Sequence, residues 1–135
     1  MKTNTMKKSC WSFGLILSMG IHSIEIPDLY MTPSERLMLA AVQGSKDCLI
    51  ARLVHKRADP NFQPLVGGCT PLHEAASYGN EEEVKELLLV GAKVNVRALN
   101  SDWTALTFAK KRWKSEKNDA YTRIIQTLEA VGGTE

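Results

Sequence analysis

Apolar positions recur at helical spacing in two adjacent short segments. The first face consists of Leu72, Ala75 and Ala76, and the second of Val84, Leu87 and Leu88. Spacings of three and four residues place such side chains on one side of an α-helix. The pattern predicts two short amphipathic helices, each with one face that must be covered.

Residues typical of helix caps mark where these two helices begin and end. Gly79 and Gly91 follow the apolar segments, at the positions where a helix C-terminus favours a left-handed residue. Asn80 precedes the second helix, and Glu83 stands three residues later. That spacing is typical of a capping box, so we expect the Asn80 side chain to cap the second helix.

The same pattern occurs in weaker form on both sides of this segment. Leu37 precedes Leu72 by 35 residues, and Thr104 follows Thr70 by 34. The earlier copy opens with Thr32-Pro33-Ser34-Glu35, which predicts an N-cap, a proline at the first helical position and a capping box. We place the repeats at about 32–62, 66–97 and 100–133 within a domain spanning 32–135.

The central copy carries the motif Thr-Pro-Leu-His-x-Ala-Ala at Thr70 to Ala76 and closely resembles an ankyrin repeat. The resemblance implies an all-α fold, a solenoid of about three stacked helix-turn-helix units joined by hairpin-like loops. It also implies that Thr70 and His73 form a structural hydrogen-bond network. The structural positions of the motif are Thr70, Pro71, Leu72, His73, Ala75, Ala76, Gly79 and Gly91.

The third copy departs from the pattern. Ala105 replaces the proline, Thr107 replaces the histidine, and additional residues fall within 110–119. We interpret them as an extended first helix and a polar loop on a terminal capping repeat, which is expected to be atypical.

Length and composition agree with one folded domain. The chain has 135 residues, of which 44% are hydrophobic and 24% charged, with a formal net charge of +2. This composition is that of a folded globular protein, and the near-neutral charge gives no general attraction to nucleic acid or to anionic membranes.

The N-terminal stretch differs in kind. Lys2, Lys7 and Lys8 precede an apolar run over 10–21 that ends among small residues. This order is typical of a secretory signal, so residues 1–23 are predicted to be a signal peptide and 24–31 a leader, giving a secreted or periplasmic protein. The alternatives are a cytoplasmic protein with an apolar tail packed on the fold, and an uncleaved segment that tethers the chain to a membrane surface.

The cysteines do not suggest a metal or redox centre. Cys10, Cys48 and Cys69 are odd in number and form no CxxC pair, and the histidines are isolated from one another. An alternative is a thiol-based redox or stress protein that uses Cys48 or Cys69, with His73 as the base for Cys69. No third orienting group accompanies that pair, so we expect no catalysis, no cofactor and no metal.

A basic run surrounds Trp113 and comprises Lys110, Lys111, Arg112, Lys114 and Lys117. It could dock an acidic partner, a phosphate or anionic lipid. We interpret it as a solvated helix face with the tryptophan packed on the capping repeat.

Function follows from the resemblance, which implies a non-enzymatic scaffold that binds a protein partner, and we separately expect the chain to be a monomer. The family uses the hairpin tips and the exposed side of the first helices, which form the concave face. In this sequence the concave face maps to Val66, Cys69, Glu74, Ser77, Tyr78, Trp103, Phe108 and Lys111, with Val42 and Gln43 at the matching place in the first repeat.

Overall fold

The computed structural model describes residues 32–44, 53–54 and 56–135. The described residues contain five α-helices and no strand. The helices are α1 (Pro33–Gln43), α2 (Pro71–Tyr78), α3 (Glu81–Leu89), α4 (Ala105–Glu116) and α5 (Asp119–Ala130). The all-α prediction is therefore confirmed. The predicted signal peptide, the leader, Cys10 and Cys48 lie outside the described residues.

The helices form two layers. Helix α2 packs between α1 and α4, and these three first helices make one layer. Helices α3 and α5 pack on each other and on their preceding helices to make the second layer. Each pair thus buries its apolar face against its neighbours, as expected for stacked short helices that cannot fold alone.

Threonines begin all three first-layer helices. The Thr32 hydroxyl accepts a hydrogen bond from the Glu35 backbone, and the Glu35 carboxylate accepts one from the Thr32 backbone at 2.7 Å. Thr70 forms the same reciprocal box at the start of α2 with His73, whereas at the start of α4 the Thr104 hydroxyl accepts from the Thr107 backbone without a reciprocal bond. Each cap satisfies backbone donors that a helix leaves unpaired, so the predicted helix starts are confirmed.

A continuous apolar core runs between the layers, and small residues line its seams. Ala41, Ala75, Ala76 and Ala109 are fully buried. Their small side chains let first-layer helices approach closely, while the large side chains come from both layers. The largest fully buried apolar members of this core are Leu37, Leu72, Val84, Leu87, Ile124 and Leu128.

Asn80 behaves differently from the prediction. It occupies the N-cap position of α3, but its side chain makes no capping hydrogen bond there. Its amide nitrogen instead donates to the carbonyl oxygens of Ala41 at 2.7 Å and Val42 at 3.0 Å. These carbonyls belong to the last turn of α1, where a helix leaves acceptors unpaired. The predicted capping box is therefore wrong, because the asparagine satisfies the end of the neighbouring repeat's helix.

Two other asparagines form equivalent links between repeats. The Asn61 side chain accepts from the Lys93 backbone at 2.7 Å and donates to the Gly91 carbonyl. Asn95, 34 residues later, accepts from the Thr134 backbone at 2.8 Å and donates to the Gly132 carbonyl at 3.1 Å. We call these pairs of hydrogen bonds the asparagine clasps. Each clasp joins one repeat to the loop that ends the next.

Helix α4 carries the extension predicted for the terminal repeat, with 12 residues against 8 in α2. The link to α5 is short and polar, and Lys117 adopts a left-handed conformation at the helix end. Arg112 does not belong to the predicted solvated basic face. It is buried, and its Nε donates to the Ser77 carbonyl at 3.0 Å. The side chain therefore lies between α4 and α2 and does not face solvent.

Candidate protein-binding face

Two connecting turns lie side by side at one edge of the helix stack. The Leu99 backbone donates to the Gly68 carbonyl at 2.9 Å, and the Gln63 amide donates to the Gly68 and Arg97 carbonyls at 2.7 Å each. The second turn is closed by a hydrogen bond from the Ala98 backbone to the Trp103 carbonyl. The two turns are thereby fixed to each other before any partner arrives.

Gly68 allows this close approach. Its φ is +62°, and a Cβ placed on it would lie 2.6 Å from the Cβ of Leu99. Only glycine meets both conditions without strain. The residue type at position 68 therefore sets the spacing between the neighbouring turns.

The turns display large apolar side chains to solvent. The exposed fraction is 91% for Leu65, 71% for Val66 and 59% for Leu99. We call these three residues the tip patch. Single exposed apolar residues are ordinary, but neighbouring ones on adjoining turns form a patch of the kind that marks interaction sites.

An aromatic cluster lies behind the tip patch. The Trp103 and Phe108 rings meet edge to face with centroids 5.2 Å apart, and Phe108 meets the His73 ring at 5.5 Å. Trp103 is partly exposed, and the Lys111 ammonium lies 3.7 Å from its ring centroid. This cation–π contact holds the lysine beside the tryptophan, so one aromatic and one cationic group face solvent together.

His73 is a structural link between two repeats. Its Nδ1 accepts from the Thr70 backbone at 3.0 Å, which leaves Nε2 protonated to donate to the Trp103 carbonyl at 3.0 Å. Burial lowers the pKa of His73 to about 4, against the opposing effect of hydrogen bonds to the Trp103 and Val96 carbonyls. The imidazole is therefore neutral at physiological pH and is fully occupied by the fold.

Glu74 and Tyr78 lie on the same helix as His73. Burial raises the pKa of Glu74 to about 8. Burial and the nearby Glu74 charge also raise the pKa of Tyr78, while Arg112 lowers it. Glu74 is therefore largely protonated at neutral pH, which removes a negative charge from this side of α2.

The structure divides the predicted concave face in two. Val66 and Lys111 are exposed, and Tyr78 and Trp103 are partly exposed, as a docking surface requires. Gln43 is exposed and Val42 partly so. The prediction of an accessible surface is wrong for four buried residues: Cys69, Glu74, Ser77 and Phe108. The repeat pattern predicts where these residues lie along each helix, but it does not predict the tertiary contacts that bury them.

Sequence reasoning missed two members of the tip patch. Leu65 and Leu99 are leucines in turn segments, outside any helical periodicity. Their only signal was an apolar residue next to a turn-forming residue, Pro64 or Asn100, where polar residues are usual.

The pairing of Cys69 as nucleophile with His73 as base is not formed in the described residues. Cys69 is buried and its sulfur belongs to a disulfide, and both His73 ring nitrogens are engaged elsewhere. Across the described ranges, no set of three histidine, cysteine or acidic residues could hold a metal ion. Among the helices described, none has the length and apolar content needed to cross a bilayer.

Stacked helix pairs, threonine-capped first helices and turns projecting at one edge define a repeat protein of the solenoid class. The family described as Ankyrin repeats (3 copies) matches residues 37–120. That match covers more than half of the chain, and the chain belongs to the ankyrin-repeat family. Members of this family generally act as protein–protein interaction modules and are typically not enzymes.

Similar proteins are much longer than this chain. "Ankyrin repeat and SAM domain-containing protein 6" from Rattus norvegicus is 42% identical over 95 residues, which cover 70% of this chain and 10% of that protein. "2-5A-dependent ribonuclease" from Homo sapiens is 39% identical over 64 residues, covering 47% of this chain and 9% of that protein. The chain spans about a tenth of the length of the curated relatives it matches.

Proposed function

We propose that this chain is a non-enzymatic, monomeric scaffold that binds a protein partner through the tip patch and the adjoining Trp103 and Lys111. One observation carries the proposal: Leu65, Val66 and Leu99 expose large apolar side chains on turns that are hydrogen-bonded to each other. A surface held rigid before binding loses little conformational entropy when it docks.

The chemistry of the patch suggests what its partner presents. Tryptophan is among the residues that contribute most to interface energy, and here a lysine lies against it. A complementary surface would place apolar side chains on the tip patch and a carboxylate near Lys111. The proposed role is binding alone, and it involves no chemical reaction of the partner.

The tip patch is expected to be necessary for capture of the partner. We predict that the double variant Leu65→Ser, Leu99→Ser loses at least about fivefold in partner affinity, since both substitutions remove apolar surface that docking would bury and about 1 kcal/mol of lost burial is fivefold in affinity. The measurement is crosslinked affinity capture from native extract, followed by titration of the captured protein.

Leu89→Ser is the matched control. Leu89 is also an exposed leucine, but it lies on α3 in the second layer. A captured protein that binds wild type and Leu89→Ser equally, and the double variant weakly, supports the proposal. Equal loss in all variants, or no loss in any, contradicts it.

We further propose that the chain is exported, on the strength of its basic N-terminus and the apolar run over 10–21. Expression of the full chain in a host with a secretory pathway should yield mature protein that begins near residue 24. N-terminal sequencing of exported and retained fractions measures this. Intact protein found only inside the cell would contradict export, and intact protein on membranes would favour the tethered form.

A further inference from the structure

A cavity of about 480 Å³ lies on the outer side of the last helix pair, between α4 and α5. It is distinct from the tip patch and belongs to the described part of the terminal repeat. Trp113 and Ile125 are the apolar residues of its lining, and the stems of three lysines add apolar surface around them. Its size is within the range of sites that take a few side chains or a small molecule.

Three lysines make the rim of this cavity cationic, and each lysine ammonium group has a different set of contacts. Lys110 pairs with Glu129 at 3.2 Å and also with Glu135. Lys111 lies over the Trp103 ring. Lys114 also lines the cavity, and its charge contributes to lowering the pKa of the Glu135 carboxyl, although no carboxylate of the described residues forms a direct ion pair with it.

A carboxylate of the chain already lies at one end of the cavity. Glu135 lines it and contacts Lys110, and this contact lowers the pKa of the Glu135 carboxyl. The preceding residue is held by its main chain: the Thr134 carbonyl accepts from the Thr104 hydroxyl at 2.5 Å, and its amide donates to Asn95. This wall of the cavity thus already accommodates a carboxylate of the chain itself, beside Lys110.

We propose that the cavity is a second docking site, for an acidic peptide segment that inserts a bulky aliphatic side chain between Trp113 and Ile125. A carboxylate flanking that side chain would meet Lys114. The lining comes mainly from helix faces whose backbone groups are already paired, so recognition rests on side chains. The chain's own Glu135 competes with carboxylates of the peptide for Lys110, so removing the Glu135 charge should change the peptide affinity.

The experiment measures fluorescence anisotropy of a short labelled peptide in which leucines are flanked by glutamates, with the full chain. Lys114→Gln should weaken binding by about two- to fivefold, the range of one exposed charge pair. Glu135→Gln should strengthen it by a similar factor or less, because Lys110 then loses one of its two internal carboxylate partners and keeps Glu129. Trp113→Ala should weaken it further, and added salt should weaken binding to wild type.

Lys117→Gln is the matched control. It makes the same charge change at the end of the same helix, outside the cavity lining. Peptides with serine for leucine, or glutamine for glutamate, test the apolar and acidic requirements separately. The double variant Leu65→Ser, Leu99→Ser should bind the acidic peptide as wild type does, so this site and the tip patch can fail independently.

Two results would overturn the proposal. One is peptide binding that responds equally to Lys114→Gln and Lys117→Gln and ignores Glu135→Gln, since only general charge would then be involved. The other is the absence of peptide binding. Saturable binding of dodecanoate at Trp113 would then identify the occupant as a single-chain lipid.

Discussion

Leu87→Ala is expected to lower the free energy of unfolding by about 2–5 kcal/mol. Leu87 lies on α3 with no exposed surface, in the core between the two layers. Removing its terminal carbons loses apolar burial and leaves a cavity that the packed neighbours cannot fill completely. A domain of this size has a total stability of about 5–15 kcal/mol, so the loss is a large fraction of it.

The same helix supplies the control. Leu89 is 86% exposed, and Leu89→Ala is expected to change the unfolding free energy by no more than about 0.5 kcal/mol. Urea denaturation followed by far-ultraviolet circular dichroism measures both variants. Equal effects at the two positions would contradict the packing of α3 described above.

The second large effect is a pH dependence that His73 brings to stability. Burial holds the folded-state pKa of His73 at about 4, against 6.5 for an exposed histidine. Between these values the unfolded chain binds a proton that the folded chain does not, so stability falls as pH falls. The loss begins near pH 6.5 and is complete below pH 4, where it amounts to roughly 3 kcal/mol.

His73→Gln isolates this contribution. The variant lacks the titrating ring, so the stability gap between wild type and variant should narrow as pH falls from 7 to 4. Glu74 contributes with the opposite sign, because its raised pKa adds stability below about pH 4.5 that is lost as pH rises toward 8. Since Glu74 is present in both proteins, its contribution cancels in the difference.

Urea denaturation at several pH values provides the measurement. A gap that stays constant between pH 7 and 4 would mean that His73 titrates alike in the folded and unfolded chains. That result would contradict its burial between Thr70 and the Trp103 carbonyl.

The helices were predictable because their signals are local. Threonine caps, a proline at the first helical position and apolar spacing all depend on residues within one or two turns. The capping box at Thr32 and the left-handed Gly79 formed as expected. The seams were predictable too, since Ala75 and Ala76 are small where helices must approach.

The side-chain partners were less predictable because they depend on distant residues. The Asn80 side chain could equally well have capped its own helix. In the stacked repeats it instead donates to a carbonyl at the end of α1. Arg112 belonged to a basic run in sequence, yet it turns inward to the Ser77 carbonyl. Tertiary contacts decide between such roles, and the spacing of residues along the sequence does not reveal those contacts.

The candidate site was only partly predictable for the same reason. Repeat register identified Val66, Trp103 and Lys111, which have the exposure that a docking surface needs. It could not show that Phe108 is covered by its aromatic neighbours, nor that Leu65 and Leu99 would lie on neighbouring turns.

The asparagine clasps have a mechanical consequence. Asn61 and Asn95 each connect to the loop that ends the following repeat, so tension along the stack passes through these links in series. These hydrogen bonds then add to the packed apolar seams beneath them in resisting shear at each junction. The stack is expected to lengthen in discrete steps, one junction at a time, and to re-form each link when the tension is released.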